Sequence, residues 1–206
     1  MNQSSLHEDI AYVRDLAEAG QKAPLLGGRF LVFWGALTTT AYFLHYAIAA
    51  GLYGWPDIAY AWVWGCFIAS GILGQALLVY TIRNKPGGNS AGNRAEATVW
   101  MAGGFALFAY FGTLIAKSLA TGEPVPGFES SLPLVFAIYG TGLITSGVMA
   151  NTKALTYAGA GAFAMIAAAI WFDGTTEIWA VASLGMFLTV LLPGLVLIRN
   201  EPKSVV

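Results

Sequence analysis

Six apolar stretches run through this chain, at about residues 30–52, 58–82, 97–119, 131–151, 154–172 and 177–198, and none carries Asp, Glu, Lys or Arg deep in its interior. Each is close to the ~20 residues that an α-helix needs to cross a ~30 Å hydrocarbon core. In lipid the backbone must satisfy its own hydrogen bonds, so stretches of this length fold as helices. The pattern predicts an all-α polytopic membrane protein, its six transmembrane helices arranged as three hairpins. Only 10% of the 206 residues are charged, where a soluble domain carries about a quarter. Water is the wrong solvent for most of this surface.

The length suits one bundle: residues 1–28 as a cytoplasmic amphipathic helix and junction, 29–199 as the transmembrane domain, and 200–206 as a tail. Gly54-Trp55-Pro56-Asp57 and Asp173-Gly174-Thr175-Thr176 read as tight turns, and Asn84–Ala95 and Thr121–Ser130 as longer loops. The polar, acidic start does not resemble a cleavable signal, so the first span is expected to act as its own insertion signal.

Charge sets the expected orientation. Arg14, Lys22, Arg29, Arg83, Lys85, Arg94, Lys153, Arg199 and Lys203 flank one side of the spans, and Lys117 alone falls on the other. The positive-inside rule then places both termini in the cytoplasm. Tyr53, Trp55, Tyr60, Trp62, Trp171 and Trp179 cluster at the outer ends, and Phe30, Trp34, Tyr80, Trp100 and Tyr157 at the inner ones. Rings of this kind settle at the headgroup level as belts.

Several classes drop out. A net charge of −1 offers no basic surface to nucleic acid. The single cysteine, Cys66, excludes an internal disulfide, and a thiolate metal centre needs more ligands. There is no buried acid–base pair, no nucleophile beside a base and no phosphate-binding Gly loop, so neither an enzyme nor a cofactor is expected. Ion-coupled pumping is disfavoured for want of an intramembrane charge.

Two hairpins share a pattern. Ser70-Gly71 with Gln75 in span two matches Ser146-Gly147 with Asn151 in span four, and Gly35 and Tyr42-Phe43 align with Gly103 and Tyr110-Phe111. Either an ancestral duplication or the common recurrence of small residues in membrane helices produces such a match. The Ala/Gly face of span five should make it the most enclosed helix. Pro193 should bend span six by freeing the Thr189 carbonyl.

Polar side chains inside the spans are few. Thr38 and His45 share a face of span one, and Gln75, Thr113, Thr141, Thr145 and Asn151 complete a candidate polar path for a small solute. The competing reading is interhelical hydrogen bonding, with His45 neutral and bonded to a neighbouring helix; a pH-sensing role for His45 is a third. In the N-terminal segment Ser5-Leu6-His7-Glu8 reads as a capping box, and Leu6, Ile10, Val13 and Ala17 fall on one helical face. Arg14 and Glu18, then Glu18 and Lys22, stand four apart. This helix is acidic, and anionic lipid repels it, so its apolar stripe is expected to dock on protein. The receiver is the chain's own basic loop, a second subunit, or a cytoplasmic or membrane partner.

The junction Ala23-Pro24-Leu25-Leu26-Gly27-Gly28-Arg29 resembles a segment of uncharacterised bacterial six-span membrane proteins. That resemblance implies the architecture and a bacterial inner-membrane location. Ala23-Pro24-Leu25 followed by Ala36-Leu37-Thr38-Thr39 is similar to the opening of the acetate/succinate uptake transporter family, although the Asn-Pro of that motif is absent. The hairpin repeat and the bent sixth span point to a channel or permease for a small neutral or weakly acidic solute; the alternative is an accessory or regulatory membrane subunit that docks a partner through its N-terminal helix.

Overall fold

The computed structural model describes residues 7, 9–14, 25–83, 88, 90–122 and 128–199. Five spans are single helices: α1 (Gly28–Ala49), α2 (Ile58–Ile82), α3 (Ala91–Thr121), α4 (Leu132–Met149) and α5 (Lys153–Trp171). The sixth begins as α6 (Glu177–Met186), passes through a π-helical segment (Phe187–Leu191) and ends as α7 (Leu192–Arg199). All six are long and apolar enough to cross a membrane. No strand occurs among the described residues. Residues 9–14 are helical and exposed, while Leu6 and Ala17 lie outside the described residues, as do Glu18 and Lys22.

The third helix starts six residues before the apolar stretch that announces it. Ser90 is extended (φ −60°, ψ 155°), and its Oγ accepts the Asn93 backbone N–H at 3.2 Å, an N-cap that satisfies a donor the helix cannot. Gly122 closes the other end in the left-handed region at φ 70°. Asn93 and Glu96 therefore belong to α3 rather than to a loop. They are also its only buried residues among those described.

Two seams hold the bundle together. The first joins α1, antiparallel, to the whole of the sixth span. Gly35 approaches so closely that an added Cβ would sit 2.8 Å from the Leu191 Cα, and one on Gly194 would sit 2.8 Å from the Val32 nitrogen. Ser183 Oγ donates to the Thr39 carbonyl at 2.9 Å along the same seam. The second seam joins α4 to α5, where a Cβ on Gly159 would meet the Gly140 carbonyl at 2.8 Å and one on Gly147 the Thr156 nitrogen at 2.7 Å. Small residues permit such backbone contact, which favours association where lipid removes the hydrophobic force. Leu132, Phe136, Leu143, Leu155, Ile178, Met186 and Val190 fill the core between the seams.

Spans one and two, three and four, and five and six touch, yet the closest packing runs between these pairs, from span four to five and from span one to six. Span five is not the most enclosed: 22% of its apolar stretch is buried against 50% for span four. Its Ala/Gly face is narrow, and Tyr157, Phe163, Ile170 and Trp171 leave the other side exposed. Both α2 and α3 are peripheral, with Gly71 the one buried residue of α2 among those described.

In span six, Pro193 acts through winding. It offers no N–H to Thr189, and the preceding residues take up a π register in which the Leu192 N–H bonds the Phe187 carbonyl five residues back. Thr189 Oγ1, buried here, donates to the Gly185 carbonyl at 2.7 Å.

Candidate functional site

The basic end of the bundle, where α1 begins and α7 finishes, carries a buried polar centre. Asn93, Glu96 and Trp100 stand at i, i+3 and i+7 on α3 and so share one face. Asn93 Oδ1 accepts the Leu26 N–H at 3.0 Å, which ties the junction before α1 to α3. Glu96, only 4% exposed, accepts the Ser146 hydroxyl of α4 at 2.7 Å. The Trp100 indole N–H donates to the same Ser146 Oγ at 3.2 Å and also approaches the Glu96 carboxyl. Two glycines make room for this arrangement. A Cβ on Gly27 would overlap the Glu96 carboxyl, and one on Gly142 would lie 2.7 Å from the Trp100 ring. A buried carboxyl is costly unless hydrogen bonds replace its water, and Ser146 supplies one.

Glu96 falls between the loop expected to end at Ala95 and the apolar run that begins at Ala97, so the sequence pattern alone gives it to neither. The signal was present in the Ser90 cap and in the spacing of Asn93, Glu96 and Trp100. One carboxyl is thus enclosed at the basic end of the bundle, just before the apolar stretch of the third span.

The opposite end carries an aromatic centre around His45, which is half-buried. Trp64 of α2 donates its indole N–H to His45 Nδ1 at 3.0 Å. The imidazole stacks on Trp179 of α6 with centroids 3.8 Å apart and planes 25° apart, and lies 4.6 Å from the Tyr60 ring. Phe128, just before the 3-10 turn Glu129–Ser131, packs edge-on against Trp64 at 4.8 Å and meets Phe111 of α3 at 5.2 Å. The rings thus join spans one, two, three and six rather than forming only a surface belt.

The remaining path residues do not converge. Thr38 is buried and within hydrogen-bonding reach of Tyr139 on α4. Gln75 Oε1 accepts the Trp34 indole N–H at 2.9 Å, closing the α1–α2 seam. The hydroxyls of Thr113, Thr141 and Thr145 donate to carbonyls one turn back on their own helices, at 2.7, 2.9 and 2.9 Å. Thr113 and Thr141 are exposed. Asn151 sits at φ 50° in the exposed turn between α4 and α5, a left-handed position that Asn tolerates. Gln75 and Asn151 therefore do not form a facing pair. Among the described residues no group of three or more His, Cys, Asp or Glu could hold a metal ion.

Compared with protein-family models, curated proteins and solved structures, the chain matches none of them.

Proposed function

We propose that this protein is an accessory subunit of a bacterial inner membrane, both termini in the cytoplasm, which docks a protein partner through its N-terminal helix. One observation carries the reading. Ile10 and Val13, the described members of the apolar stripe, stand 60% and 63% exposed on helical residues 9–14, with no cover among the described residues. The basic end of the bundle, with exposed Arg83 and Arg94, lies beside the junction and would guide an acidic helix toward it or toward a second copy. The junction at Leu26 and Gly27 is itself held against α3, by the Asn93 hydrogen bond and the abutting Glu96 carboxyl.

Transport is the second reading, favoured by one feature. Span six departs from α register beside buried Thr189, and π segments often mark working positions in helices. The scatter of Gln75, Thr113, Thr141, Thr145 and Asn151 favours the docking role over a path through the bundle.

Deleting residues 1–20 separates the two. The truncated protein is expected to insert in the membrane and to lose a stoichiometric partner that co-purifies with the full chain. An unchanged partner set, or failure to insert, would count against docking. Solute uptake by proteoliposomes of the pure protein, altered by Gln75→Leu or Asn151→Leu, would establish the transport reading instead.

A further inference from the structure

We propose that His45 is a proton-operated tie between the first two spans, holding α2 against α1 while neutral and releasing it when protonated. Apart from rings laid on it, Trp34 on Gly71, Phe33 on Gly74 and Tyr42 against Trp64, the second span has few polar attachments. Only Gly71 of its residues is buried, and two side-chain hydrogen bonds cross its seam with α1 among the described residues. One is Trp34 to Gln75 near the basic end; the other is Trp64 to His45 near the opposite end.

The direction of the second bond gives the tie its chemistry. The indole nitrogen can only donate, so His45 Nδ1 accepts and the ring is neutral with its proton on Nε2. An imidazolium has no acceptor. Protonation would set two donors against each other and break the bond. It would also strengthen the opposite contact, because a cation lying 3.8 Å above the Trp179 ring gains from the negative face of the indole. The Trp64 bond to α2 thus belongs to the neutral ring alone, while the charged ring shifts its weight to Trp179 of α6, with Tyr60 at 4.6 Å as its remaining contact on α2.

The groups that face it do not carry a charge that would fix it in one state. They are Tyr60 and Trp64 from α2, Phe128 from the segment before α4, and Trp179 from α6. Tyr42 and Tyr46 share its own helix. Only the tyrosines titrate among these, and the acids on the same elements, Asp57, Glu129 and Glu177, stand at their outer ends.

The seam has a built-in reporter. Cys66, the only cysteine of the chain, lines a groove of about 280 Å³ between α1 and α2 together with Leu37, Ala41, Leu44 and Phe67. Movement of α2 away from α1 changes this groove first. The full-length protein, labelled at Cys66 with an environment-sensitive bimane and placed in detergent micelles, is titrated from about pH 8 to about pH 3. The label emission is expected to shift sigmoidally. Tryptophan fluorescence should fall by about a seventh, since imidazolium quenches the stacked Trp179 among the chain's seven tryptophans.

His45→Gln keeps an oxygen acceptor for Trp64 and cannot titrate, so both signals should stay flat. Trp64→Phe removes the tie alone: the label should rest at the acid value of the wild type throughout, while the tryptophan quench persists. Titrations in His45→Gln that match the wild type would overturn the proposal. So would a wild-type label that does not respond, or a label response that survives Trp64→Phe.

Discussion

The contact between Gly27 and Glu96 shows how one residue type enforces another. The carboxyl oxygens occupy the place of a Gly27 side chain, so an alanine there must displace either the carboxyl or the junction. Gly27→Ala is expected to destabilise the protein by about 1–3 kcal/mol. Glu96→Ala should cost about 1–3 kcal/mol by taking the acceptor from Ser146, whereas Glu96→Gln keeps an oxygen for it and should cost less. The decisive measurement is the double variant. With the carboxyl gone, the alanine at position 27 loses its three nearest obstacles, so the two costs should fail to add by about 0.5–3 kcal/mol in thermal unfolding. Additive costs would mean that the two residues do not share this space. His45 was legible in the sequence as a rare polar residue in an apolar run, but its partners were not. Stacking on Trp179 joins positions 45 and 179, and no local pattern announces a pairing over that separation.

At the level of elements, the glycines sort by what stands opposite them. Gly35 faces the backbone of Leu191, with both N and Cα at 2.8 Å from an added Cβ, and a backbone cannot turn aside. Gly35→Ala should push α1 off the sixth span and lower stability by about 1–3 kcal/mol. Gly103 meets only the Ile138 side chain, at 2.6 Å, which can change rotamer, so Gly103→Ala should cost less. Gly65 has nothing within 4 Å, and Gly65→Ala should leave stability unchanged or raise it by up to about 1 kcal/mol. Melting temperatures of the three variants in one detergent give the order; Gly65→Ala as the most damaging would reverse the argument. The repeat behaves similarly. Trp34 lies on Gly71 and donates to Gln75, while Trp100 lies on Gly142 and donates to Ser146. In both hairpins a tryptophan covers a glycine and bonds a polar side chain one turn further along the next helix. Matching letters had aligned Gln75 with Asn151, whereas the contacts align it with Ser146. Helix positions were legible because hydrocarbon demands unbroken apolar runs; the register between helices was not, because glycine is equally small on every face.

For the molecule as a whole, the number of crossings and the placement of charge bear on one question, the orientation in the membrane. Six spans return the chain to the side on which it entered, so the start of α1 and the end of α7 share a face. Arg29, Arg83, Arg94, Lys153 and Arg199 lie at that face, while Lys117 stands near the other end of α3. Moving arginine or lysine outward against the membrane potential is unfavourable, and short loops obey that bias most strictly. The turns between spans one and two and between spans five and six are short and bear acids, Asp57 and Asp173, without a compensating base. Reporter fusions should therefore divide cleanly. A reporter active only in the cytoplasm should work after Val206, and one active only outside should work when inserted at Gly54 or Gly174, both exposed turn glycines at positive φ. Adding two lysines beside Gly54 ought to reduce the outside signal there, since the new charges oppose translocation of that turn. A C-terminal reporter active only outside would mean that the bundle sits inverted, or that one apolar helix failed to cross, to be sought first in α2 or α3, which have the least packing to hold them.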